Sequence, residues 1–113
     1  DLKVTPVESA HLGIPVLGFR IGNFAYLTDV KTISQLELQK LKNLDSLVIN
    51  ALRYESHPSH LNVQEALEIV DTIKPKNTFF THISHNMGFH EEVCDKLPDS
   101  VSLAYDGLVL EIN

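Results

Sequence analysis

The sequence has only one cysteine, Cys94, so an internal disulfide is excluded. A reducing, cytoplasmic setting is the simplest interpretation, with Cys94 as a buried structural thiol on a short helix. No apolar run approaches the roughly 20 residues that a membrane span requires, and no signal-peptide pattern opens the chain. We therefore expect a cytoplasmic protein that makes no contact with a membrane.

Basic residues are also few. Nine lysines and arginines stand against fifteen acidic residues, which gives a net charge of −6. A broad nucleic-acid-binding surface usually requires a basic excess, so the charge balance argues against one. A small anionic substrate is compatible with the same balance, because bound cations can reverse the field locally.

The length of the chain is sufficient for a single domain with one hydrophobic core. Its 113 residues are 43% hydrophobic and 21% charged, as in ordinary soluble globular proteins. The chain starts at Asp1 without a methionine and runs at once into a strand-like stretch. We therefore expect a trimmed chain, a processed one or a piece of a longer protein.

The hydrophobic pattern predicts strands in the first third of the chain and helices between the later strands. Alternation and tight-turn signals predict strands, and helical spacing with capping-box residues predicts helices that begin near Ser34 and Asn62. The order βββ–α–β–α–β–α–ββ is typical of an α/β fold with a mixed sheet covered by helices. The expected elements are three strands within 3–29, helices over 34–44, 62–75 and 90–98, strands over 45–52 and 77–81, and a hairpin over 100–113.

Aspartate and histidine residues follow the predicted strands where each one ends. Asp29 directly follows FAYLT, and His82 directly follows NTFFT. His57 and His60 lie in the loop after SLVINAL, and His11, between the first two strands, can reach the same edge. Ligands of layered α/β folds bind outside the carboxyl ends of strands, and imidazole with carboxylate suits zinc, manganese or iron. The alternative is that Asp29 is only a turn residue, and neither HPSH nor HISH is a specific zinc signature.

Four stretches carry a family resemblance: GFRIGNFAYLTDV, LDSLVINALRYESHPSHLNVQEALEIV, FFTHISHNMG and SLAYDGLVLEI. In this order they resemble the C-terminal half of a metallo-β-lactamase-fold hydrolase. The likeness is closest to the branch that contains the phosphoribosyl cyclic-phosphate phosphodiesterase of phosphonate breakdown, and it runs over nearly the whole chain. It implies half of an αββα sandwich, with two divalent metal ions at the edge of the complete fold.

The resemblance implies a role for most of the polar positions. His11 and His82 resemble histidine ligands of the two metals, and Asp29 resembles the carboxylate that bridges both. His60 resembles the histidine that acts as the acid near the leaving group, since an imidazole can protonate a departing oxygen.

Two further positions carry weaker implications. His85 resembles a residue that supports the ligands or faces the substrate, with an ordinary loop histidine as the equal alternative. Asp106 can orient a ligand histidine by accepting its other N–H, with a structural Asp-Gly turn as the equal alternative. His57 and His90 are expected to be surface residues.

The family's best-known sequence, a His-x-His-x-Asp-His loop, is missing from the chain. In full-length members it lies in the N-terminal half and supplies two ligands to each metal. We therefore interpret residues 1–113 as the single C-terminal part of a longer metallo-β-lactamase-like domain. The chain alone is expected to be inactive, and the sheet face that its missing half would cover favours dimerisation or aggregation.

These expectations lead to three hypotheses about function. The first is that the full-length protein is a dinuclear metal-dependent phosphodiesterase that uses zinc, manganese or iron on a small phosphodiester substrate. The second is a non-catalytic module that binds metal or associates with itself. The third, an RNA-processing member of the same fold class, is the weakest because the chain is acidic and lacks a basic arm.

Overall fold

A six-stranded mixed sheet forms the frame of the molecule. The computed structural model describes residues 3–52, 60–81 and 97–105, together with residues 108 and 110. The strands are β1 (Val4–His11), β2 (Ile14–Ile21), β3 (Phe24–Leu27), β4 (Ser46–Asn50), β5 (Asn77–Thr81) and β6 (Val101–Leu103). The helices are α1 (Gln35–Leu38), which continues into a 3₁₀ turn at Gln39–Leu41, and α2 (Val63–Ile73).

The strands lie in the sheet in the order in which they occur along the chain. β1 and β2 are antiparallel, as are β2 and β3. The three remaining pairs are parallel. The carboxyl ends of β1, β3, β4, β5 and β6 therefore lie at one edge of the sheet, which we call the carboxyl edge. The predicted α/β class and mixed sheet are confirmed.

Both helices cover the same face of the sheet. Side chains alternate between the two faces of a strand, and one set of alternate residues is fully buried against the helices. This core contains Val7, Ala25, Leu27, Leu47, Ile49 and Phe80 from the strands, and Leu38, Leu41, Val63, Ala66 and Ile73 from the helical segments.

The opposite face of the sheet carries exposed apolar side chains. Leu17, Phe19 and Tyr26 are exposed by 60%, 43% and 45%, and Phe19 lies directly opposite Tyr26 in the antiparallel pair. We call these three residues the open face. Side chains of this size usually lie inside a folded protein, and the half-sandwich interpretation predicts an apolar face of this kind.

The first helix is shorter than the predicted span of 34–44. The Ser34 side chain caps α1 by accepting from the Glu37 N–H. The segment ends early because Nη1 of Arg20 donates to the carbonyl oxygens of Lys40 and Lys42. This contact comes from β2, so local helical spacing could not predict it.

The second helix begins as the sequence predicts. The Asn62 side chain accepts from the Glu65 N–H at 2.8 Å, and the Glu65 carboxylate accepts from the Asn62 N–H at 3.0 Å. This is a complete capping box. Lys74 ends the helix in the left-handed conformation, directly before Pro75. In the described residues, no helix is long and apolar enough to cross a membrane.

Two predicted elements fall largely outside the described residues. The helix expected over 90–98 lies mostly among residues 82–96, and the second strand of the terminal hairpin lies within 106–113. The first strand of that hairpin corresponds to β6 (Val101–Leu103), which pairs in parallel with β5. Pro6 lies in β1, at the edge of the sheet, where its missing N–H is tolerated.

Candidate metal and catalytic site

The structure brings three of the predicted site residues together at the carboxyl edge. His11 is the last residue of β1, Asp29 follows β3 by two residues, and His60 lies just before α2. Nε2 of His60 is 3.4 Å from Oδ1 of Asp29. The rings of His11 and His60 meet edge to face, with their centroids 4.9 Å apart and their planes at 71°.

The other predicted site residues lie outside the described part of the chain. His82, His85 and Asp106 are among these undescribed residues, as are the expected surface histidines His57 and His90. Among the described residues, the position of His11 differs from the prediction. His11 was expected in the loop between the first two strands, whereas it closes β1 opposite Ile14.

Asp29 has a left-handed backbone conformation, with φ of 60°. Aspartate tolerates this conformation better than most residues because its short side chain can bond locally. Backbone strain of this kind often occurs at functional sites and persists only where the surrounding structure holds it in place. The Asp29 side chain is 47% exposed and the His60 side chain is 21% exposed, so a ligand can reach the carboxylate.

The residue that follows Asp29 is held by Asn50, the last residue of β4. The Val30 N–H donates to Oδ1 of Asn50, and Nδ2 of Asn50 donates to the Val30 carbonyl oxygen, both at 2.9 Å. Both residues are completely buried. Asn50 is not among the site residues that the sequence predicts. The available signal was one amide at the carboxyl end of the apolar run SLVINAL.

The segments that carry His11 and His60 are tied to the same loop. The Ala10 N–H donates to the Thr32 carbonyl at 2.9 Å, and the Ala10 carbonyl accepts from the Lys31 N–H at 2.9 Å. On the other side, the Leu61 N–H donates to the Val30 carbonyl at 3.0 Å. The residues next to His11, Asp29 and His60 therefore belong to one backbone hydrogen-bond network.

An ion pair joins this loop to the start of α2. Nζ of Lys31 lies 3.0 Å from each carboxylate oxygen of Glu65. Burial raises the pKa of Glu65, but the hydrogen bond from the Asn62 N–H and the charge and hydrogen bond of Lys31 outweigh it, so the pKa falls below its ordinary value. The pair fixes the beginning of α2 relative to the loop that carries Asp29.

The donor set is chemically suited to a divalent metal ion. Nδ1 of His11 is buried and has no hydrogen-bond partner in the part of the chain that the structure describes. In the tautomer with the ring proton on Nε2, Nδ1 of His11 offers a lone pair to a cation. Within residues 3–52, 60–81 and 97–105, no three His, Cys, Asp or Glu side chains are arranged to hold a metal ion. The third ligand that the resemblance implies, His82, falls outside these ranges.

Comparisons with known proteins match most of the chain. The sequence profile of the beta-lactamase superfamily domain matches residues 1–83. An octanoyltransferase of Porphyromonas gingivalis is 38% identical over 109 residues, which are 96% of this chain and 22% of that protein.

Solved structures are similar over nearly the full length of the chain. A diphosphatase of the PhnP family superposes with a TM-score of 0.94 at 39% identity, over 99% of this chain and 44% of that one. The short form of human tRNase Z gives a TM-score of 0.78 at 19% identity, over 99% and 44%. The metallo-beta-lactamase fold protein YhfI of Bacillus subtilis gives 0.71 at 18%, over 95% and 48%. The last two show the fold alone, and the chain spans less than half of each structure.

Proposed function

This chain belongs to the beta-lactamase superfamily domain family, near its PhnP branch, and we propose that it carries part of the active site of a metal-dependent phosphodiesterase. The observation that carries the proposal is the contact of His60 with Asp29 at 3.4 Å, next to Nδ1 of His11, which is buried and has no hydrogen-bond partner among the described residues. A carboxylate and an imidazole are ligands that divalent metals prefer, and in this proposal the second imidazole moves a proton.

In this proposal His11, Asp29 and His82 would hold zinc, manganese or iron, and the Asp29 carboxylate would serve both ions of a dinuclear site. When bound, such ions polarise phosphoryl oxygens and activate a water molecule. His85 and Asp106 are proposed to support the ligands or face the substrate. The arrangement at the carboxyl edge, where loops after several strands converge, supports this assignment.

His60 is proposed to donate a proton to the departing oxygen of the substrate. Its Nε2 faces Oδ1 of Asp29, so the carboxylate can hold the ring in one orientation. The ring itself is mostly covered, with 21% of the side chain exposed. A covered imidazole that is held in place is suited to proton transfer, because its position does not change between binding and reaction.

The remaining ligands are proposed to come from a segment outside residues 1–113. Two observations support this. The solved relatives are more than twice as long as the part that this chain covers. The open face also presents three large apolar side chains that a second half-sandwich would cover. In this proposal the chain by itself is inactive.

The proposed substrate is a small phosphodiester. The similar structure with 39% identity is a diphosphatase, so diphosphates belong in any substrate panel, because both reactions break a phosphorus–oxygen bond next to negatively charged oxygens. Octanoyl transfer is not proposed, because the matching segment is 22% of the octanoyltransferase, and residues 1–83 of this chain match the beta-lactamase superfamily domain.

The test of this function compares two single variants of the complete gene product. His60→Ala should lower turnover by about 10²- to 10⁴-fold, the usual contribution of a general acid, and leave the bound metal per chain unchanged. The loss should be largest for a phosphodiester with an alkoxide leaving group. It should be smallest for bis-p-nitrophenyl phosphate, because p-nitrophenolate leaves without being protonated. Turnover and elemental analysis are measured on the same samples.

His11→Ala is the matched variant, because it removes the neighbouring imidazole. It should lower the metal content together with the turnover for both substrates. The proposal is wrong if His60→Ala loses metal as His11→Ala does, or if the two leaving groups respond equally to it. Wild-type protein that hydrolyses neither phosphodiesters nor diphosphates also contradicts it.

The open face favours a second candidate, a self-associating module without catalytic activity. The upstream reading frame distinguishes the two. A His-x-His-x-Asp-His sequence within about 150 residues before Asp1, a typical domain length, supports the enzyme. A start codon directly before Asp1 supports the module.

A further inference from the structure

The backbone of Val30 connects the loop that carries Asp29 to the segment that carries His60. Its carbonyl oxygen accepts two hydrogen bonds, one from Nδ2 of Asn50 at 2.9 Å and one from the Leu61 N–H at 3.0 Å. Its N–H donates to Oδ1 of Asn50 at 2.9 Å. The N–H and the carbonyl group of Val30 are thus both held by hydrogen bonds. Val30 therefore links the segment of Asp29 to the segment of His60.

Asn50 is well placed to hold this point rigidly. It ends β4, where it lies opposite Thr81 of β5, and its side chain is completely buried. Two hydrogen bonds to one residue leave the amide a single orientation. A strand inside a sheet is a more rigid support than a loop. Asn50 therefore restrains Val30 by bonding it to β4.

Asp29 needs such support because of its backbone conformation. A non-glycine residue with φ of 60° lies in an uncommon, strained region, and it keeps that conformation only while the residues around it hold it. Leu27 is fixed in β3 on one side. Val30 lies outside the strands on the other side and is held through Asn50.

We propose that Asn50 is a positioning residue that fixes the Asp29 carboxylate relative to the His60 imidazole through the backbone of Val30. This inference rests on the proposed function, because only a metal site gives the position of Asp29 a purpose. The hydrogen bonds of Asn50 to Val30 do not depend on that function. In this proposal Asn50, whose side chain is completely buried and bonded to Val30, contacts neither the metal nor the substrate. Its effect passes through Val30 to Asp29 on one side and through Leu61 to His60 on the other.

The first test substitutes Asn50 in the complete gene product and measures Co²⁺ binding, the visible spectrum of the bound Co²⁺ and steady-state kinetics. Asn50→Ala should weaken Co²⁺ binding and lower kcat by about 10- to 100-fold each, the range for residues that orient metal ligands. It should change KM less than kcat, and it should alter the Co²⁺ spectrum, which reports the ligand geometry. Asn50→Asp keeps an acceptor for the Val30 N–H but replaces the Nδ2 donor to the Val30 carbonyl with a second acceptor in a completely buried position, so it should not restore Co²⁺ binding or kcat.

Val101→Ala is the control for a general loss of stability. Val101 is 3% exposed and pairs with Thr78, away from the carboxyl edge. The substitution should lower the unfolding temperature and leave the Co²⁺ spectrum and affinity unchanged. A wild-type spectrum and affinity in Asn50→Ala would overturn the proposal, provided that wild-type binding of Co²⁺ depends on Asp29. If the wild-type protein binds no metal, the proposed function fails instead.

The second test uses the wild-type protein and does not depend on the folding of a variant. Amide hydrogen exchange at Val30 should be as slow as in β4, although Val30 lies outside the strands, because its N–H is bonded to a buried amide. Exchange of the Val30 N–H at the rate of an exposed loop would overturn the proposal.

Discussion

At the scale of single residues, Asp29 combines a strained backbone with an accessible carboxylate. Its φ is 60°, and its side chain is 47% exposed. Val30, directly after it, is completely buried and bonded to Asn50. A loop whose buried residue is held by hydrogen bonds and whose neighbouring carboxylate is exposed can present that carboxylate to a ligand without reorganisation.

This arrangement makes Asp29→Asn an informative substitution. Asparagine also tolerates the left-handed conformation, so the fold should be retained while the negative charge is lost. We expect metal affinity to fall by more than the roughly 10- to 100-fold that residues behind the ligands contribute, with an unchanged unfolding temperature without metal. Calorimetric titration with Mn²⁺ or Zn²⁺ and thermal unfolding measure the two quantities. Metal affinity equal to wild type would contradict the proposed role of Asp29.

At the scale of secondary structure elements, β2 and β3 approach each other closely at Gly18. A Cβ atom at this position would lie 2.5 Å from Cδ2 of Leu27 and 2.6 Å from the backbone oxygen of Tyr26. The second atom belongs to the backbone of β3, so a rotamer change cannot relieve the contact. Glycine is therefore required at this close approach of the two strands.

Gly18→Ala should destabilise the protein by about 1–3 kcal/mol, the usual range for overpacking a core. The free energy of unfolding from urea denaturation measures this loss. Gly13→Ala is the control, because a Cβ at Gly13 meets nothing within 4 Å and only its φ of 76° opposes the methyl group. A loss at Gly18 no larger than the loss at Gly13 would show that the strands separate at little cost.

The start of α2 contributes to the stability of the fold in a pH-dependent way. The pKa of Glu65 is below its ordinary value of 4.5, so the folded protein holds this proton less tightly than the unfolded chain does. The stabilisation is complete above the ordinary value and is lost as the pH falls through the lower, folded value. Acidification should therefore weaken the contact between α2 and Lys31.

Glu65→Gln should reduce the loss of stability between pH 4.5 and more acidic conditions, because glutamine does not titrate. The free energy of unfolding as a function of pH measures this. Glu68→Gln changes the net charge equally at an exposed position of the same helix, and serves as the control. Parallel pH profiles for wild type and Glu65→Gln would exclude the ion pair with Lys31 as the cause.

At the scale of the whole molecule, one sheet face is covered and the other is open. The helices bury the first face in a continuous core, and the second carries Leu17, Phe19 and Tyr26. Contiguous exposed apolar side chains usually mark a surface that another protein segment covers. We propose that the missing half-sandwich covers this face in the complete protein, and a second copy in the isolated chain.

The isolated 113-residue chain should therefore associate with itself, and the double variant Leu17→Thr, Phe19→Ser should shift it toward the monomer. Sedimentation velocity measures the distribution of species. Leu36→Ser is the control, because Leu36 is 81% exposed but belongs to α1 on the covered side of the sheet. Equal effects of the two substitutions would show that association does not depend on the open face.

The sequence by itself determined the properties that depend on neighbouring residues. Alternation of apolar residues predicts the strands, and the pair Asn62 and Glu65 predicts the start of α2, because a capping box is made within one turn. The positions of Asp29 and His60 near strand ends predict that they lie at one edge. That prediction follows from the general geometry of α/β sheets and requires no contact to be known in advance.

Only the tertiary structure decided the contacts between distant segments. Arg20 ends the first helical segment from β2, Asn50 holds Val30 across the carboxyl edge, and His11 meets His60 ring to ring. Each contact joins residues that are far apart in the chain, and its geometry depends on sheet register and helix placement. Periodicity and turn signals contain no information about either partner's position, so the network that holds the candidate site exists only once the sheet has formed.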